Sequence, residues 1–224
     1  MSPSPSTSPS ASTSKANLSL LTGGEDARRL LASIGNLICP QPRPIPNSYW
    51  ATKLLVACEY PWSPNEFGCP KLDALLKAGT RTFIDLTECG ELSPYVEHVL
   101  SRAAALGIDV QEIEYHRFPI RDRSLPESVD YMYNIMAVLR DSEARGRISA
   151  VHCRGGIGRT GMVIGCWLVE SGRAKDGEEA LQIIAREWRG VAKCVIYPHS
   201  PETGPQFEFV LNFHPEKSHE QLAF

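Results

Sequence analysis

The chain has 224 residues, 42% of them hydrophobic, and a formal net charge of −3. That length fits one domain with an ordinary core and room for a tail, and the charge excludes the basic footprint of a nucleic-acid binder, so any cation must act locally. Seven cysteines at irregular spacing, none in a CxxC pair, argue against a disulfide framework or a structural zinc site and for a reducing, cytoplasmic setting, with the nucleus or an organelle still compatible.

The opening MSPSPSTSPSASTSK has too little apolar surface to offset the entropy of ordering, so residues 1–16 read as a disordered tail. It is Ser-rich and acid-poor like an organellar transit peptide, but lacks the arginines of one. The single catalytic domain would then span residues 17–224, with its core at about 50–214. No apolar run approaches the 18 residues of a membrane span.

Residues 25–33 suggest a short helix, and LLVACEY (54–60) a strand. CPKLDALLKAG (69–79) reads as a helix closed by Gly79. RTFIDLT (81–87) is an apolar strand, and residues 91–107 read as a helix with a proline tolerated in its first turns. VQEIEYHRF (110–118) alternates as a strand does. Residues 127–146 carry Val129, Met132, Met136 and Leu139 at helical spacing. ISAVHC (148–153) is a short buried strand, residues 158–172 a helix apolar nearly all round with Cys166 and Trp167 in the core, and residues 177–188 an amphipathic helix. Strands alternating with helices predict an α/β fold, a mainly parallel central sheet with helices on both faces. Ligands of such folds bind beyond the carboxyl ends of the strands, which is where VHCRGGIGRTG (151–161) falls.

Two chemistries compete for that loop. Gly156, Gly158 and Gly161 match the GxGxxG of a dinucleotide turn. The rest of that unit is missing, because Glu178 and Glu179 open a helix where an acidic strand end is needed. No lysine follows in the register of an ATP-type phosphate loop either. The other reading makes Cys153 a nucleophile. Five residues, Arg154, Gly155, Gly156, Ile157 and Gly158, separate it from Arg159. Such a loop can curl its N–H groups around one centre, with glycines permitting positive φ and the following helix contributing its positive end. Arg159 can grip two oxygens of a bound phosphate. The same field favours the thiolate over the thiol, and the Thr160 hydroxyl could stabilise the sulfur as a leaving group.

HCRGGIGRTG resembles the His-Cys-x5-Arg-Ser/Thr signature of the cysteine-dependent protein tyrosine phosphatase superfamily, and residues 50–214 resemble its small dual-specificity-like branch. The resemblance implies that Cys153 attacks phosphorus, that residues 154–158 cradle the phosphate, that Arg159 binds its oxygens and that His152 tunes the thiolate. It implies hydrolysis of phosphomonoesters through a phosphocysteine, with no metal and no cofactor.

The acid needed for the leaving oxygen is sought in FPIRDRSLP (118–126), where Asp122 stands about thirty residues before the cysteine, as in the family's mobile acid loop. Asp85 competes, but reads as a structural carboxylate bonded to a neighbouring loop, and Asp130 lies inside the next helix. Gln206 lies where the resemblance places a glutamine near the attacking water in some relatives, but reads sooner as part of a Thr203-x-x-Gln206 capping box. Arg117, Arg121 and Arg123 read as solvated charges sooner than as binders of a second anion. Cys89 reads as a buried filler sooner than as a disulfide partner for oxidised Cys153. A phosphorylated protein is the leading partner, because the loop carries only Arg154 besides Arg159. A phosphoinositide or inositol phosphate is the alternative, and a catalytically silent phospho-binding module ranks behind, since cysteine, arginine and acid are all present.

Overall fold

The computed structural model describes residues 41–216. The readings of a tail at residues 1–16 and a helix at residues 25–33 lie outside the described residues, as does Cys39.

Five strands form one sheet in the order β1-β2-β5-β3-β4: β1 Ser48–Thr52, β2 Leu55–Cys58, β3 Thr80–Asp85, β4 Glu114–Arg117 and β5 Ile148–His152. β2, β5, β3 and β4 run parallel, and β1 pairs antiparallel with β2 at the edge. The helices are α1 Pro70–Lys77, α2 Val96–Ala105, α3 Val129–Ala144, α4 Gly158–Glu170, α5 Gly177–Trp188 and α6 Gly204–Leu211.

Successive strand residues feed opposite faces, as the two-residue period requires. Leu55, Ala57, Ile84 and Val151 join a core with residues of α3, α4, α5 and α6. Val56, Cys58, Phe83 and Ala150 join a second core with α1 and α2. Both faces of the central strands are therefore covered, and the expected architecture holds. α4 is buried from Gly158 to Val169, because it lies between the sheet and α3, α5 and α6.

Several boundaries differ from the sequence reading. The helix assigned from residue 91 begins at Val96, because residues 91–94 form a loop that sends Glu91 toward Arg159. Only Glu114–Arg117 of the 110–118 segment is strand, since Asp109 caps a 3-10 turn at Val110–Glu112. Val129 is exposed, and Ile135 takes its place in the core face of α3. β1 had no sequence signal beyond a few β-formers. The capping pair at 203 and 206 marks the start of α6.

Candidate active site

β5 is the central strand, and it carries His152 to the carboxyl edge of the sheet between Cys58 on β2 and Asp85 on β3. Cys153 follows and is 3% exposed. Residues 154–157 bend sharply and α4 begins at Gly158. Of the loop's glycines only Gly156 needs its freedom of φ. It sits at +74°, and a Cβ there would stand 2.6 Å from the carbonyl carbon and oxygen of Cys58. Gly158 is small for a different reason: a Cβ would lie 2.7 Å from Gln206 Oε1.

Among the described residues, no protein acceptor takes the backbone N–H of Arg154, Gly155, Gly156, Ile157 or Gly158. Gly156, Ile157 and Gly158 are buried. Buried N–H groups without partners are costly and rare. A run of unpartnered N–H groups at the start of a helix can take an anion. The Thr160 hydroxyl is also buried without a partner.

Arg159 is 1% exposed and one of the largest fully buried side chains. Glu91 holds it end-on, Nη1 donating to Oε2 at 2.7 Å and Nη2 to Oε1 at 2.8 Å. Nη1 also donates to the carbonyl of Ile120 at 2.9 Å, and Nη2 to Asp122 Oδ1 at 2.8 Å. Nε has no partner. Burial opposes the charge, but the Glu91 hydrogen bonds, with Cys153 and Asp122 nearby, outweigh it and push the guanidinium pKa up. Arg159 in turn holds the Glu91 carboxyl below its usual range against burial. The bidentate geometry is what makes a buried ion pair tolerable. Glu91 was not singled out in the sequence, where it reads as a helix residue.

Asp122 lies on the loop after β4, about half exposed and in contact with Arg159. The sequence-selected cysteine, arginine and acid are thus brought to one place. Asp85 is 1% exposed and bonded to the Thr87 amide and hydroxyl at 2.8 and 2.7 Å and to the Tyr115 hydroxyl at 2.6 Å. That is the structural pattern its position in a strand implied. Asp130 is exposed in the first turn of α3.

His152 is fully buried, with Nε2 2.6 Å from the Tyr95 hydroxyl and Nδ1 3.8 Å from Asp85 Oδ1. Burial drives its pKa down to about 4, and Asp85 opposes this only in part. The imidazole is therefore neutral near pH 7. Burial raises the Tyr95 pKa well above the usual phenol range, so Tyr95 stays protonated and shares a short hydrogen bond with Nε2.

Arg117 is not a solvated charge: it donates to the carbonyls of Thr87 and Glu88 at 3.3 and 2.7 Å. Arg123 pairs with Glu202 at 3.1 Å, while Arg121 is exposed. Lys193, which the sequence reading passed over, donates to the Gly155 carbonyl at 3.2 Å and pairs with Glu59 at 2.6 Å. Cys89 is exposed and not a buried filler, because it falls on the turn after β3. The cysteine at the strand end beside His152 is Cys58, whose pKa burial pushes up. Among the described residues no group of three or more His, Cys, Asp or Glu could hold a metal ion, and no helix is long and apolar enough to cross a membrane.

Residues 61–173, half of the chain, match the family described as "Polymorphic toxin system, DSP-PTPase phosphatase". The chain belongs to this family of dual-specificity-type phosphatases, within the small branch of the cysteine-dependent protein tyrosine phosphatase superfamily. Solved structures share the fold. The active form of Tk-PTP is 23% identical, with a TM-score of 0.58 over 74% of this chain and 94% of that one. Kinase associated phosphatase, with serine in place of its catalytic-site cysteine, is 23% identical, with a TM-score of 0.54 over 70% and 83%. PTPMT1 in complex with PI(5)P is 15% identical, with a TM-score of 0.54 over 77% and 93%.

Proposed function

We propose that this phosphatase hydrolyses phosphomonoesters through a phosphocysteine on Cys153, without metal or cofactor. The run of unpartnered amides at 154–158, beside buried Cys153, is the observation that carries the reading. They take the non-bridging oxygens of the phosphoryl group. Nε and Nη2 lie along one edge of the Arg159 guanidinium, Nε without a partner and Nη2 bonded to Asp122. Phosphate takes this edge and displaces Asp122 from Nη2, while Glu91 keeps its end-on grip. Cys153 sulfur then attacks phosphorus as the ester oxygen leaves, and Asp122, released from Arg159 and carrying a proton taken up from solvent, gives that oxygen its proton. Water attacks phosphorus in the second step, its proton returning to Asp122 and the sulfur leaving as thiolate. Thr160's unpartnered hydroxyl donates to that sulfur. His152, neutral and locked by Tyr95, holds the strand end beneath the cysteine.

The leading substrate is a phosphoprotein carrying an isolated phosphate. Arg117 and Arg123 are engaged within the protein, and Lys71 and Lys193 both pair with Glu59. Among the described residues, that leaves Arg154 and Arg121 as exposed, unpaired cations near the site, too few to favour a multiply phosphorylated inositol. A reducing cytoplasmic setting suits a thiolate nucleophile, and the six described cysteines are all unpaired.

Cys153→Ser is expected to abolish turnover of para-nitrophenyl phosphate with the fold intact, because a serine hydroxyl is not ionised near neutral pH. Wild-type activity should survive EDTA and be blocked by vanadate. Activity lost in EDTA and restored by zinc or magnesium would overturn the mechanism. A turnover panel of phosphopeptides, phosphoinositides and inositol phosphates decides the substrate class.

A further inference from the structure

The segment from Ser200 to Gln206 touches both halves of the site. On one side Ser200 Oγ donates to the Ile157 carbonyl at 2.8 Å, and a Cβ on Gly161 would strike Ser200 and the Pro201 backbone. On the other side Gln206 Nε2 donates to the Ser124 carbonyl at 3.1 Å, and Glu202 pairs with Arg123. Gln206 is fully buried. Its Oε1 accepts from the amides of Glu202 and Thr203 at 3.3 and 3.2 Å, which fixes the orientation of the amide. The expected reach of Gln206 to the N-cap is therefore present, and it occupies only one end of the side chain.

We propose that Gln206 is a positioning residue that holds Asp122 over the phosphate, acting through the Ser124 carbonyl. The proposal rests on the reading of Asp122 as the acid. The Ser124 amide donates to the Arg121 carbonyl at 3.0 Å, so residues 121–124 form a tight turn with Asp122 at one corner. Arg123, at the other corner, has a φ of +57°. A side chain in that region costs on the order of 1 kcal/mol, so such a turn needs support from outside. In the structure Asp122 also leans on Arg159 through Nη2. When phosphate takes that nitrogen this support goes. What remains for the turn is the Glu88 carboxylate on the Asp122 amide at 3.3 Å, the Arg123–Glu202 pair and the Gln206 bond. Of these only the Gln206 donor is fully buried. The same side chain lies against Gly158, so it ties the acid turn to the phosphate loop.

The experiment compares Gln206→Met and Gln206→Glu with the wild-type chain on an aryl phosphate with a good leaving group and on an alkyl phosphate. Gln206→Met keeps the length and loses both the donor to Ser124 and the acceptor for the Glu202 and Thr203 amides, the latter of which Gln206→Glu retains. Its kcat is expected to fall roughly tenfold for the alkyl ester, the scale of a modest misplacement, and less than twofold for the aryl ester, with vanadate inhibition unchanged. Gln206→Glu keeps the acceptor and regains a donor only when protonated, so its alkyl rate should recover as pH falls. Equal losses on both esters would overturn the proposal and point to the leaving-group-independent hydrolysis step, and unchanged rates on both would also overturn it. Should either variant fail to fold, Arg123→Gln and Glu202→Gln at the surface end of the same brace must show the same preferential alkyl loss, or the proposal falls. Asp122→Asn, run alongside, separates the two levels. If it shows no leaving-group dependence, the acid assignment fails; if it does and the Gln206 variants do not, only the positioning role fails.

Discussion

The loop that follows β5 and the loop that carries Asp122 meet at Arg159 and are built on opposite principles. Cys153 and Arg159 are 3% and 1% exposed, between a central strand and a helix buried on all sides. Gly156 is locked against Cys58 and Gly158 against Gln206. Residues 121–123, by contrast, are exposed, and polar contacts hold them: to Arg159, Glu88, Glu202 and, through Ser124, Gln206. On the proposed mechanism an anion cradle at residues 154–158 must not reorganise when charge arrives, whereas Asp122, which first occupies the arginine, has to move to give up a proton. The division teaches that the loop proposed to stay fixed is held by packing, and the one proposed to move by replaceable polar contacts.

Three measurements break or sharpen this contrast. Asp122→Asn should lower kcat on an alkyl phosphate by about 10²–10⁴-fold, the usual worth of a positioned acid. The loss should shrink with a good aryl leaving group, and the basic limb of the kcat/KM profile should flatten. Equal modest losses with the basic limb intact would make Asp122 a surface carboxylate and send the search for the acid elsewhere.

Arg159→Lys keeps a charge but loses the fork that Glu91 grips end-on and the Nε edge proposed to take phosphate. A fall of about 10²–10³-fold in kcat is expected, as for loss of one oriented donor, with kcat/KM falling too and with little dependence on the leaving group. Near wild-type rates would remove Arg159 as the clamp. A leaving-group dependence like that of Asp122→Asn would mean the two loops do not act separately.

The smallest effect concerns the rigid half alone. His152 titrates at about 4 in the fold against 6.5 ordinarily, because burial disfavours its charge. The unfolded chain therefore binds the extra proton first. Stability from this residue is complete above about pH 6.5, declines as pH falls, and levels off near pH 4. The difference amounts to about 2–4 kcal/mol. Urea unfolding between pH 7 and pH 4.5 should show the decline, and His152→Gln should flatten it. Glu91 titrates from below the usual carboxylate range, so its contribution is lost at lower pH than most of this window. A wild-type profile flat from pH 7 to 4.5 would mean that His152 is solvated.

The alternating pattern made the layered fold legible, because central parallel strands must be apolar on both faces. Cys153, Arg159 and the amides of residues 154–158 were legible because a local loop fixes their spacing whatever surrounds it. Asp122 was legible only through its place in FPIRDRSLP. Glu91 was not, since its partner stands 68 residues away and nothing in ELSPYVEH distinguishes a loop carboxylate from a first-turn helix residue. β1 was not legible either: an edge strand of five residues makes its case through pairing with β2.

Gln206 marks the boundary most clearly. Sequence by itself determined that its side chain could reach back to the N-cap of a helix, because that contact spans three residues. Only the tertiary structure decided that the other end of the same amide would meet Ser124, 82 residues earlier. Local spacing sets what a side chain can reach along its own segment, and the packing of α4 and α6 on the sheet sets which distant backbone it meets.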